Sequence, residues 1–158
     1  MDQEKLLKKF EIEFEKTKKE LNFNSTLDEL DKIFFLKDYI LQTKFVSLSL
    51  SRFICHRIRD TFYSWISQFH EWVMPNPSSM ISNSECSVFN EEEKQNLLKL
   101  IKKFMAYCSQ NVIIGLSKDK IKEKEFIDNS IILWNENIND IINYTKKINN
   151  YWDIESKK

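Results

Sequence analysis

All three arginines of this chain, Arg52, Arg57 and Arg59, stand within one eight-residue stretch of a sequence that otherwise takes its positive charge from lysine. Arginine presents a planar fork of donors that matches the two oxygens of a carboxylate or phosphate, whereas lysine presents a point charge. At about 100° per residue, Arg52, His56, Arg59, Tyr63, Ser67 and His70 share one stripe of a helix, with Asp60 at its edge. Arg57, Ser64, Gln68 and Glu71 fall on the side expected to face solvent. The chemical reading is an anion or RNA-phosphate site built from Arg52, His56 and Arg59, with Tyr63 available for stacking. The plainer reading pairs these arginines with acids of a neighbouring helix or subunit and leaves His56 simply hydrogen-bonded.

Other chemistries find less to work with. The pentapeptide Arg52-Phe53-Ile54-Cys55-His56 resembles the Arg-to-His motif of the higher-eukaryote-and-prokaryote nucleotide-binding helical domains, and that resemblance implies an RNase. Four to six residues separate the pair in that family; here three do. For a metal site, His56 and His70 lie about 21 Å apart along a helix rising about 1.5 Å per residue, so they cannot share an ion. The Glu-x-x-His pairs of di-iron bundles are missing, since Phe53 and Ser67 occupy the positions three before each histidine. Cys55 adjoins His56, yet neighbours on a helix point about 100° apart. One glycine excludes a glycine-rich phosphate loop. No catalytic residue, metal or cofactor is therefore assigned.

These residues must be held by helices. With one Gly and two Pro the chain lacks the turn residues of an all-β fold, while 12 Phe, 5 Tyr and 4 Trp supply bulky core material. The expected fold is all-α, a single-domain antiparallel bundle of about five helices over 2–21, 27–43, 49–74, 91–114 and 118–152. Leu7, Phe10, Phe14, Thr17 and Leu21 mark the first apolar face. Thr26 with Glu29, and Asn90 with Glu93, form capping boxes that open the second and fourth helices. Pro75 ends the third, whose Ile54, Ile58, Phe62, Trp65, Phe69, Trp72 and Val73 gather on one broad face.

From Pro75 to Phe89 the periodicity vanishes, which predicts a long loop. Leu97, Ile101, Phe104, Cys108 and Val112 then define the fourth helix, with Gly115 as its stop. In the last helix, which Ser117 would cap, Ile127, Ile131, Trp134, Ile138, Ile141, Thr145, Ile148 and Trp152 alternate spacings of four and three. That is a heptad seam of the coiled-coil kind, and it calls for a partner surface in this chain or in a second copy.

Acidic and basic residues balance at 24 each, so no bulk field draws the chain to nucleic acid or an anionic membrane, and any such binding must be local. No apolar run approaches the roughly 18 residues of a membrane span, and the N-terminus lacks a signal peptide's pattern. Three cysteines without CxxC spacing suit a reducing compartment. A cytoplasmic protein without membrane association is expected. The run Met74-Pro75-Asn76-Pro77-Ser78-Ser79-Met80, a capped helix, then Phe126-Ile127-Asp128 before a Trp-ended helix is similar to small uncharacterised helical proteins of archaea, across about residues 30–152. That resemblance implies a cytoplasmic bundle and carries over no site. The expected function is non-enzymatic, through contact with a protein partner or a second copy. The alternative is an RNA- or phosphate-binding module that uses the Arg52/His56/Arg59 stripe.

Overall fold

A computed structural model describes residues 2–158 and is all-helical, with no strand among the described residues. Seven helices follow in order: α1 Gln3–Leu21, α2 Leu27–Phe34, α3 Leu36–Thr43, α4 Leu50–Val73, α5 Met80–Ser87, α6 Glu91–Ser117 and α7 Lys120–Glu155. Contacts divide the chain into two compact units. One holds the chain up to Thr61 together with Ser109–Leu133; the other holds Phe62–Cys108 and Trp134–Lys158. The three long helices contribute residues to both.

The count of seven corrects the expected five in two places. The first is Phe35, which breaks the 27–43 helix by adopting a left-handed backbone, φ 53° and ψ 48°. Phe34 and Leu36 are both fully buried, although residues two apart on an unbroken helix face in different directions. Reversing the backbone at Phe35 lets both enter the core and leaves the Phe35 ring exposed. The Asp31 carboxylate steadies the break by accepting from the Lys37 amide at 2.7 Å.

The second is α5, which lies where a long loop was expected. Ser79 caps it by accepting from the Ser82 amide at 3.1 Å, and Asn83 donates to the Ser79 carbonyl at 2.7 Å. With Ser82 and Cys86 as its buried side chains, this short helix shows almost no apolar period to read. Helix ends also differ from expectation. Gly115 lies inside α6, which runs on to Ser117 and closes with Lys118 at φ 53°. Asp119, not Ser117, caps α7, accepting from the Ile121 and Lys122 amides at 3.0 and 3.1 Å.

In the first unit Leu6, Phe10 and Phe14 of α1 are buried, as are Leu30, Phe34, Leu36 and Ile40 of α2 and α3, and Ile54 and Ile58 of α4. The Asp128 carboxylate binds the Asn24 and Ser25 amides at 2.9 Å, fixing the α1–α2 turn against α7. In the second unit the core is aromatic. Phe62 meets Phe104 with centroids 4.8 Å apart, and Phe69 and Trp72 extend the stack to Phe89. Glu85 of α5 accepts from the indole N–H of both Trp72 and Trp152, each at 2.9 Å.

The buried rows of α6 and α7 hold Leu97, Phe104 and Cys108, and Ile127, Ile141 and Ile148, as read in the sequence, and depart from it by one position at three places. Asn111 is buried in α6 and Val112 exposed. In α7, Ser130 and Asn137 are buried where Ile131 and Ile138 were expected.

Candidate functional site

The arginine stripe begins in the first turn of α4, and the apolar neighbours decide which way it faces. Leu50, Ile54 and Ile58 hold the inner face of α4, so Ser51 and Cys55 come inward beside them and Arg52 lies at the flank. Opposite, α7 supplies Glu123, whose side chain is only 1% exposed. A carboxylate so enclosed requires partners on its oxygens. It has three: the Ser51 hydroxyl donates to Oε2 at 2.7 Å, the Lys120 ammonium at 2.9 Å, and Arg52 Nε stands 3.8 Å from Oε1. Lys120 also donates to Ser51 Oγ at 3.2 Å, closing a triangle.

The other end of Arg52 reaches α6. Its Nη2 donates to the Asn111 carbonyl at 3.3 Å, and a Cβ built on Gly115 would meet that same nitrogen at 3.0 Å. The single glycine of the chain thus stands where the guanidinium lies against the helix. Asn111 Nδ2 stands 3.4 Å from His56 Nδ1. In this arrangement Nδ1 accepts and the imidazole carries its proton on Nε2. Arg52 Nη1 and Asn111 Oδ1 are buried without a hydrogen-bond partner.

Each group's chemistry follows from these contacts. Burial pushes the Cys55 thiol up to about 12, so it stays protonated and unreactive. Burial, and after it the Arg52 charge, hold His56 below its ordinary value, Asp60 opposing only in part. The imidazole is neutral at pH 7. The Ser51 hydroxyl spends its proton on Glu123 and a lone pair on Lys120, so no free base stands ready to activate it.

Of the four residues singled out for anion binding, Arg52 and His56 come together through Asn111. Arg59 turns to Asp60, 3.0 Å away, and Arg57 approaches the same carboxylate at 3.7 Å. Arg57, expected on the solvent side, lies over the Tyr39 ring at 4.5 Å, a cation–π contact. Tyr63 belongs to the second unit, where it is exposed.

Ser51, Asn111, Gly115, Lys120 and Glu123 went unread as site residues. Glu123 lies inside Lys118-Asp119-Lys120-Ile121-Lys122-Glu123-Lys124-Glu125, and nothing in so regular a run of charges sets its one enclosed carboxylate apart. Among the described residues, no group of three or more His, Cys, Asp or Glu side chains is placed to hold a metal ion. Comparison with family models, with curated proteins and with solved structures returned no match, so the reading of this cluster rests on its own geometry.

Proposed function

We propose that this chain is a non-enzymatic protein that works through protein contacts, and that a second copy of itself occupies the open side of α7. One observation carries the reading. In the second unit Trp65, Trp134, Ile138, Ile142 and Thr145 line an open groove whose only charge is Lys146. Interfaces are depleted of charge at their centre and enriched in aromatic residues, and this strip has both properties. The Trp65 and Trp134 rings lie 6.4 Å apart and form its floor.

A two-fold contact presents the same patch on both partners. An antiparallel pair centred near Ile142 brings only one lysine from each copy, and those two lysines stand several residues either side of the axis, so like charges are not opposed. The heptad positions Trp134, Ile138 and Thr145 then serve a partner, while Ile141 and Ile148 are already buried within the chain. A cytoplasmic setting suits three buried, unpaired thiols. The competing RNA- or phosphate-binding module has less support, because Arg52 already faces Glu123 and Arg59 faces Asp60.

Light scattering over a concentration series tests the proposal. The parent chain is expected to be dimeric, and Ile138→Glu with Ile142→Glu to weaken association at least about tenfold at unchanged helicity, since each change counts twice in a symmetric contact. A parent that stays monomeric at the highest concentration, or a double variant that associates as the parent does, overturns it.

A further inference from the structure

Phe45, Leu48, Val112, Ile113, Leu116 and Ile121 are exposed apolar side chains of the first unit that lie where α4 and α7 begin and α6 finishes, whereas Ile12, Phe35 and Ile132 are exposed elsewhere in it. The contacts of Ser51 with Lys120 and Glu123 set the first turns of α4 and α7 side by side. Those of Arg52 with the Asn111 carbonyl and Gly115 bring the last turns of α6 to the same place. The segment Lys44–Ser49 leads into α4 there, with Phe45 exposed and Leu48 fully so. Leu116 is 81% exposed at the end of α6 and Ile121 is 71% exposed at the start of α7. Val112 and Ile113, also exposed, lie four and three residues before Leu116 and so continue its face of the helix.

Charge at this end is positive on balance in a chain whose total is neutral. Lys44, Lys118, Lys122 and Lys124 flank these side chains in the sequence, and Lys120 among them is turned to Glu123. Glu123 is paired with Lys120, and Asp119 and Glu125 stand against Lys44, Lys118, Lys122 and Lys124, which leaves a positive excess. Side chains that stand out from the surface in this way suit a soft, deformable medium. Lysines that flank them match a layer of anionic headgroups.

We propose that this end of the first unit docks on an anionic lipid surface, with Phe45, Leu48, Leu116 and Ile121 entering the headgroup boundary and Lys44, Lys118 and Lys122 meeting lipid phosphates and carboxylates. The proposal is independent of the α7 groove and modifies the expectation of no membrane association. No helix among the described residues is long and apolar enough to cross a membrane, so the contact is with one leaflet.

Sedimentation with vesicles tests it on the full chain. Vesicles of phosphatidylcholine alone are compared with vesicles containing about one-third phosphatidylserine, at low and at raised salt. The parent is expected to partition at least about tenfold better onto the anionic vesicles and to be released by salt. Leu48→Asp with Leu116→Asp, both at exposed positions, should lower partition about tenfold or more at unchanged helicity. Lys118→Glu with Lys122→Glu should lower it by about twentyfold, near fivefold for each lysine. The idea is overturned if the parent ignores anionic vesicles at low salt, or if partition survives both double variants. It is equally overturned if the Leu48/Leu116 variant abolishes self-association while vesicles stay unoccupied, which would assign the patch to a protein contact.

Discussion

The two units use the same three long helices and fasten them by different means. In the first, α4 and α7 are joined at an enclosed carboxylate, Glu123, by a hydroxyl, an ammonium and a guanidinium, and Arg52 carries the link on to α6. In the second, they are fastened by rings, Phe62 lying against Phe104, Tyr107 and Trp134. Ring packing is strong but tolerant of small slides, because dispersion and area burial have little direction. A carboxylate with two hydrogen-bond donors and a guanidinium beside it has direction, and it is costly if any of these partners is lost. The first unit therefore trades tolerance for a fixed register at the start of α4 and α7.

That contrast can be broken most forcefully in the ring core. Phe104→Ala removes a fully buried ring and is expected to cost about 4 kcal/mol, read from urea unfolding followed by helix signal. A cost below about 1 kcal/mol would mean that the rings are not what holds the second unit.

Next in size is Glu123→Ala, expected to cost about 3 kcal/mol, at the low end for a broken buried pair because Lys120 keeps much of its contact with water. The sharper arm is a double change, Arg52→Leu with Glu123→Leu, which should recover most of that loss. If the double variant is as unstable as the sum of its parts, the link is not an ionic one but a packing contact.

The smallest effect lies in pH. An unfolded histidine titrates near 6.5, whereas in the fold burial and Arg52 hold His56 lower. Between those two values the unfolded chain binds a proton that the folded chain refuses, so stability falls as pH drops through 6.5 and levels off once the folded value is passed. Denaturant midpoints measured across that window should fall on acidification in the parent and stay flatter in His56→Gln. Parallel curves would show that the imidazole does not sense the cluster.

How much of this was legible depends on distance along the chain. The capping boxes are local, and both formed: Thr26 and Glu29 exchange hydrogen bonds at 2.8 and 3.2 Å, and Asn90 and Glu93 at 3.0 and 2.9 Å. The broad face of α4 likewise follows from seven apolar residues in one helix, most of them buried. Phe35 was not legible, because its reversal answers the burial of Phe34 and Leu36 and no glycine announces it. The seams of α6 and α7 were legible at Phe104, Cys108, Ile127, Ile141 and Ile148, and one position off at Val112, Ile131 and Ile138. Asn111 lies inward with its Nδ2 beside His56, and Ser130 with its hydroxyl donating to the Ile127 carbonyl, where a hydropathy pattern prefers Val112 and Ile131. The partner of Arg52 stands 71 positions away in the sequence, beyond any spacing rule.

Gly115 shows what such remoteness does to ordinary engineering intuition. Replacing a glycine inside a helix with alanine usually restricts the unfolded chain more than the native one and so raises stability. Here the added methyl would stand 3.0 Å from Arg52 Nη2, so the same edit that favours the helix also presses on its neighbour, which must give by a few tenths of an ångström. The vacancy is a fitted recess rather than a weak point, and a side chain that filled it would crowd the cation that bridges Glu123 and α6.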